Sequence, residues 1–442
     1  MTEFNRRDAL KVGAGAAAAA GMAGTAEAQQ GQQAAPTLRI TPERGAQLRV
    51  LRWRRFVEGD ERTWVANTQR FTQQTGIQVR LDNESWEDIR PKAAVAANVG
   101  RGPDIIFGWY DDPHQYPDKL VEVTDLANYL GRKYGGWYPV AERYGKNNNK
   151  WMSLPLGCAG NAMVYRVSAV REAGFEQFPR DFPGFLRLAQ ALKRNNKGVG
   201  FALGNAVGDA NGWCHWVVWG HGAKMVDDQG NVVINSPQTI AALEYAKQLY
   251  ETFVPGTLSW GDINNNRAFL AGELALTANG ISVYYSAKTS TDPAQRAIAE
   301  DLNHANLPIG PVGRAAEINL ATQAMIFKYT RYPNAAKEYL RFMWEQEQIN
   351  AWVEASIGYV TPALTAYERH PVWTSDPKVT PYRDSYKNML WSGYSGPMGY
   401  ASAASMADYI IVNMVAEAAS GARTPQQAAE RAAERANRYY RL

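Results

Sequence analysis

The side chains with the most chemical potential cluster in Trp109-Tyr110-Asp111-Asp112, directly after the apolar run Ile105-Ile106-Phe107 and Gly108. Paired carboxylates hydrolyse glycosides when they flank one bond. Asp111 and Asp112 are adjacent in sequence, so their side chains diverge; they read as hydrogen-bond acceptors for a ligand, or as a cap before Pro113. Two comparable spots precede them: Trp53, closing the run Leu48–Trp53, and the segment from Asn83 to Trp86. Other chemistries find no motif. Gly393-Tyr394-Ser395-Gly396 lacks the spacing of a hydrolase elbow, and no GxxxxGK[ST] phosphate loop occurs. The glycines at 198, 200 and 204 miss a dinucleotide fingerprint by one residue and suit a strand better. Asp227-Asp228-Gln229-Gly230-Asn231 lacks the glutamate that would complete a calcium loop and reads as a polar hairpin turn. His215 and His221 form no HExxH pair, and no metal or cofactor is expected. Cys158 and Cys214 are either a disulfide of an oxidising compartment or two buried thiols.

These residues need a scaffold, and the chain is long enough for two domains at 442 residues. Hydrophobic residues make up 45% and charged residues 20%, a globular composition with ample core material. The net charge of +4 carries no long basic block, so a nucleic-acid partner is not expected. Mean hydropathy of −0.40 excludes a multi-span membrane protein. The 14 Trp and 23 Tyr exceed what a core needs and point to a cleft that uses flat faces.

The opening residues read as an address. Arg6-Arg7 precede an apolar stretch from Val12 to Gly24 of about 13 residues, too short for the ~20 of a membrane span. Ala26-Glu27-Ala28 supplies the small residues of a cleavage site. Residues 1–28 are therefore expected to be a twin-arginine export signal to the periplasm, and 29–45 a flexible tether.

Beyond the tether, strand and helix alternate. Leu48–Trp53, Ile77–Leu81 and Ile105–Phe107 read as strands separated by helices, the first ending at Gly76 and the second spanning Trp86–Ala97. This order predicts an α/β fold with a parallel sheet whose ligands sit beyond the carboxyl ends of the strands. Further strands are expected at Lys150–Leu154, Asn161–Tyr165, Val199–Leu203 and Leu274–Leu276, and an apolar run at 318–327. Helices are expected at Phe182–Lys193, Gly212–Gly220, Pro237–Phe253 and Pro333–Val353. Thr424, Pro425 and Gln427 mark the start of a last helix with a capping box. Trp216, Trp219, Trp344 and Trp352 fall within helical patterns and are expected in the core.

In their order, several pieces resemble the carbohydrate-binding extracellular solute-binding proteins of ATP-binding-cassette importers. They are the segment from Phe71 to Val79; Gly102–Phe107; Lys150–Pro155 leading to Tyr165; Ile234–Pro237; Asn266–Glu273; and Ala418–Gly421 before the last helix. The resemblance covers nearly all of the chain after the signal. It implies two α/β lobes with a ligand cleft between them, joined by a hinge that the chain crosses several times. The lobes would comprise 46–160 with 318–362, and 161–317 with 363–442. It implies a monomeric receptor without catalysis, which closes on a sugar or oligosaccharide and docks on a membrane permease. Trp and Tyr would stack on the sugar's C–H faces while Asp and Asn bond its hydroxyls. Carried over position by position, the binding residues are Trp53, Trp86, Trp109, Asp111, Asp112, Asn161, Trp213, Asn279, Tyr284, Asn319, Asp408 and Tyr409. Asp408 stands where the family pattern has an aromatic residue, and Ala159 where it has a hinge glutamate, so maltose itself is not favoured. The alternatives are a non-sugar solute (a polyol, polyamine or metal chelate) and an exported enzyme.

Mass spectrometry of the exported protein should find Gln29 as the first residue, and replacing Arg6 and Arg7 by Lys should block export. Retention of residues 1–28, or normal export of the double variant, contradicts the signal.

Overall fold

Runs of β-branched and aromatic residues, each stopped by glycine or a polar turn, set the strands of the computed structural model, which describes residues 37–441. The expected export signal, residues 1–28, lies outside the described residues. The strands are β1 (Gln47–Trp53), β2 (Gln78–Glu84), β3 (Ile105–Trp109), β4 (Lys146–Asn147), β5 (Lys150–Trp151), β6 (Leu154–Ala159), β7 (Ala162–Arg166), β8 (Leu276–Asn279), β9 (Leu302–Ala305), β10 (Leu320–Ile326) and β11 (Thr361–Pro362). One sheet has the order β11-β6-β10-β3-β1-β2, and a second the order β8-β7-β9. Strands β1, β2 and β3 are parallel as expected, but β10 runs antiparallel to both β3 and β6. The reason is that β10 enters the first sheet on its return from the second.

The chain passes between the sheets twice, through Gly160-Asn161 after β6 and through the segment before β10; after β11 it leaves the first sheet a third time, for helices that pack on those lying between β7 and β8. Asn319 ties these crossings together. Its Oδ1 accepts the Asn161 backbone N–H at 2.8 Å, and its Nδ2 donates to the Ser385 carbonyl at 2.9 Å. The segments lie so close that a Cβ on Gly160 would sit 2.2 Å from Ser385 Oγ.

Helix Glu58–Thr75 shows how sequence pattern becomes packing. Trp64, Thr68 and Phe71 are buried on one face, and Gly76 ends the helix in the left-handed conformation at φ 74°. At its start, Asp60 accepts hydrogen bonds from Arg52 Nη2 at 2.7 Å, Trp53 Nε1 at 3.1 Å and Trp352 Nε1 at 2.7 Å. The Arg52 guanidinium stacks over the Trp53 and Trp64 rings, 4.3 and 4.7 Å from their centroids. The Arg52–Asp60 pair is wholly buried, so removing the carboxylate would strand a charge at a cost of ~3–5 kcal/mol. One side chain thereby fastens β1 to two helices.

Elsewhere expectation and structure differ in instructive ways. The helix expected over Pro333–Val353 is two, Pro333–Met343 and Gln346–Ala355. The break falls where Trp344 donates to the Pro155 carbonyl and Glu345 turns extended to receive Tyr129, Lys133 and Arg341. Val199–Leu203 is not a strand; its N–H and C=O groups pair singly with Leu276, Val254 and Thr257. Within the span expected as tether, the Glu43 carboxylate accepts the N–H groups of Asn334 and Ala335 and so caps a helix. The last helix, Pro425–Tyr440, carries the expected capping box. Cys158 and Cys214 are both buried and free.

Candidate functional site

A narrow cavity lies where the crossings meet; as the walls stand it has about 20 Å³ of free volume, room for little more than a water molecule. The first crossing supplies Ala159, Gly160 and Asn161, the second Ile318 and Leu320, and the approach to β11 supplies Tyr359. Phe56 and Trp86 come from the ends of β1 and β2, as the strand-end rule requires. The opposite wall is Gly208 and Asp209 at the start of helix Asp209–Gly220, Asp262, and Asn279, Gly280 and Ser282 at the end of β8.

Trp86 is the ring that faces this space. It opens helix Trp86–Val99 and packs against Phe56 at 4.5 Å between centroids. Its Nε1–H has no partner, and neither do the Tyr359 hydroxyl and Asn161 Oδ1. Three residues that line the cavity thus each carry a buried polar atom without a partner, which a polar ligand there would satisfy. Gly208 lets the far wall come this near, since a Cβ there would lie 2.9 Å from the Trp86 ring.

The carboxylates of the cavity are Asp209 and Asp262, neither of them anticipated from sequence. Asp262 accepts the backbone N–H groups of Val207, Gly208 and Asp209 at 2.7–3.0 Å. Asp209 accepts from Asn265 Nδ2 at 2.8 Å. Burial pushes Asp262 up to about 7, against its backbone donors, and pushes Asp209 well above the usual carboxylate range with help from the neighbouring Asp262 charge.

The expected residues fare unequally. Trp86, Asn161 and Asn279 line the cavity. Trp109 and Trp53 do not: both are buried, in a file of rings running inward from Trp86 to Trp109 (5.4 Å) to Trp53 (5.8 Å). Trp109 Nε1 donates to the Trp86 carbonyl, so it backs the cavity-lining ring rather than replacing it. Asp111 and Asp112 also turn inward, because Tyr110 adopts a left-handed φ of 47°. Asp112 reaches back to the Trp109 N–H at 2.9 Å and pairs with Arg90 at 2.6 Å, while Asp111 accepts from Ser402 Oγ at 2.8 Å. Burial pushes Asp111 up to about 6, opposed by Ser402 and Arg90. Trp213 is core: its helix is buried all round, and its ring packs on Phe201 and Phe253. Tyr284 donates to Asp376 and packs against His304. Asn319 works one layer behind the cavity, at the crossings. Asp408 pairs with Arg435 at 2.9 Å, and Tyr409 begins helix Ile410–Ala419; neither lines the cavity. His215 and His221 each hydrogen-bond a carbonyl one helical turn back, and no metal-binding cluster occurs among the described residues.

The family model described as bacterial extracellular solute-binding protein matches residues 66–381. The chain belongs to that family. It is 24% identical over 262 residues to a probable ABC transporter-binding protein of Deinococcus radiodurans, covering 57% of this chain and 61% of that protein. It is 21% identical over 309 residues to the putative ABC transporter periplasmic-binding protein YcjN of Escherichia coli K12, covering 67% and 68%. Three solved structures share the fold at low identity. The GacH receptor of Streptomyces glaucescens, studied unliganded and with acarbose, has a TM-score of 0.75 at 17% identity, over 90% of this chain and 99% of that one. Maltose-bound MalE3 of T. maritima has 0.76 at 18%, over 89% and 99%. A solute-binding protein of Thermotoga lettingae bound with α-D-tagatose has 0.76 at 18%, over 89% and 100%. The architecture is thus the two-lobed periplasmic binding protein fold, with one sheet in each lobe.

Titration offers a check on the buried acids. Burial pushes Glu317, beside the crossings, up to about 8, opposed by Asn319. A carboxyl raised on folding stabilises below its unfolded pKa, and that contribution is lost as pH rises through the folded value. Buried His215 and His304, lowered to about 4, act oppositely and only below about 6.5. Above pH ~6.5 the acids stand alone, and one such group contributes at most ~1.4 kcal/mol per pH unit. Denaturant melts should therefore show stability falling from about pH 6.5 to 8, with Glu317→Gln flattening the decline. A wild-type profile that rises over that window contradicts the assignment.

Proposed function

We propose that this protein is a periplasmic receptor that captures a sugar or oligosaccharide between its lobes and delivers it to the permease of an ABC importer. The carrying observation is the cavity at the crossings, with one aromatic wall, Phe56 and Trp86, and three unpaired polar atoms beside it. Rings can stack on the apolar faces of a sugar while open donors and acceptors take its hydroxyls. The solved relatives described with acarbose, maltose and tagatose support the same ligand class. The lobes follow the two sheets, 46–160 with 318–362 and 161–317 with 363–442, and the receptor acts as a monomer without catalysis. The twin-arginine signal accounts for its delivery to the periplasm.

The recognition residues in this reading are Trp86, Asn161, Asp209, Asp262, Asn279 and Tyr359. Thermal-shift screening against sugars and polyols finds the ligand class, because a ligand at 100 times its Kd adds ~2.7 kcal/mol of stability. Against the best binder, Trp86→Ala should weaken affinity about thirtyfold or more, equivalent to ~2 kcal/mol. Trp109→Ala should instead cost ~3–5 kcal/mol of folding stability, because its ring is packed on all sides. Unchanged affinity in Trp86→Ala would remove this cavity as the binding site.

A further inference from the structure

We propose that the solute is a hydroxylated ring bearing a protonated amine, an amino sugar or aminocyclitol, with its ammonium group seated at Asp209 and Asp262. This rests on the cavity being the solute site. Both carboxylates line it, and every hydrogen-bond donor they have in the protein is neutral: backbone N–H groups for Asp262 and an asparagine amide for Asp209. No Lys, Arg or His lines the cavity. The cations nearby are both committed: Arg90 to Asp112 at 2.6 Å, and Arg52, which faces Tyr359, to Asp60 at 2.7 Å. The rings of Phe56, Trp86 and Tyr359 add faces that attract a cation. Closing the lobes over such a site requires a positive charge from somewhere, either a bound proton or the ligand.

A second observation shows what else the ligand must carry. Trp86 is 7% exposed and its indole N–H, which can only donate, has no acceptor. An ammonium group satisfies carboxylates and Asn161 Oδ1 but accepts nothing. The solute therefore also offers oxygen acceptors, as a hydroxylated ring does and an open-chain polyamine does not. A uronate or sugar phosphate would bring its charge against Asp209 and Asp262.

The pair's surroundings set the proton balance. Glu87 faces Asp262 from the Trp86–Val99 helix, and the phenols Tyr110, Tyr359, Tyr382 and Tyr409 face the pair from four other segments. Arg90 faces Tyr110 and Tyr409 and offsets part of this. Burial leaves the empty pair holding a proton near neutrality. Entry of an ammonium displaces that proton, so affinity for an amine rises with pH until the amine itself deprotonates.

The test is calorimetric titration of the full mature chain with matched sets: D-glucosamine, D-glucose, N-acetyl-D-glucosamine and D-glucuronate, their galacto and manno counterparts, and spermidine. Titrations are run at about pH 6 and 7.5, in buffers of different ionisation enthalpy. The expected result is an amino sugar binding at least about tenfold more tightly than its hydroxyl partner, more tightly at the higher pH, with proton release. Asp209→Asn should abolish that preference, bringing the amino sugar and its hydroxyl partner to within about twofold of each other. Should that variant fail to fold, the wild-type buffer comparison decides alone. A neutral sugar or uronate binding as well as its amino form, without proton release, overturns the ammonium assignment and leaves the sugar-receptor reading intact. Binding of spermidine alone contradicts the hydroxylated ring and the sugar reading together, and no binding by any member counts against both.

Discussion

Asn319 holds the three inter-lobe crossings with one side chain, and the rest of the site depends on that bundle. Its amide is 1% exposed, so neither hydrogen bond can be exchanged for water without opening the structure. An unpaired buried amide group costs ~1–3 kcal/mol, which keeps the crossings together. The cavity lies directly in front, lined by residues of the first two crossings and by the approach to the third. Farther out, the same parts of the chain are linked by Tyr110 Oη to the Val207 carbonyl at 2.9 Å, the Gly59 N–H to Tyr285 Oη at 2.8 Å, and Ser402 Oγ to Asp111 at 2.8 Å.

The site is graded from rigid to open. Trp53 and Trp109 are packed into the first lobe, anchored through Asp60 and the Trp86 carbonyl, and Trp86 stands on them with its indole N–H free. A platform supported in this way loses little freedom when a ligand covers it. Of the facing carboxylates, Asp262 is held by backbone N–H groups at the start of a helix and Asp209 by the Asn265 amide, which fixes their position without neutralising them with a cation. The apolar wall stands at the ends of β1 and β2 and the acidic wall at the start of helix Asp209–Gly220 and at Asp262, so in the proposed receptor a solute would be held from both sides.

The scaffold was legible because its cues are local. Gly76 after an amphipathic stretch, Pro237 at a helix start and the Thr424–Gln427 box each specify an element within a few residues. The strand-end rule pointed to the neighbourhood of the cavity, since Phe56 beyond β1 and Trp86 beyond β2 line it. The orientation of individual side chains was less accessible. Trp109 and Asp111-Asp112 follow an apolar strand like ligand residues, but the left-handed turn at Tyr110 rotates both carboxylates inward. Asp209 and Asp262 lie 53 positions apart and meet only through the hydrogen bond between Asp209 N–H and Asp262 Oδ1. Their types were visible, and the sole hint was a carboxylate at the start of a Trp-rich helix. Trp213 was misplaced because helix Asp209–Gly220 is buried on all faces, leaving no polar face to orient it.

Lobe closure about the Asn319 bundle is the central claim, and small-angle scattering tests it most directly. The radius of gyration should fall when the mature protein is saturated with the solute identified by thermal shift, and should return to its starting value when the solute is dialysed away. Superimposable scattering curves at independently verified saturation would contradict a hinged receptor.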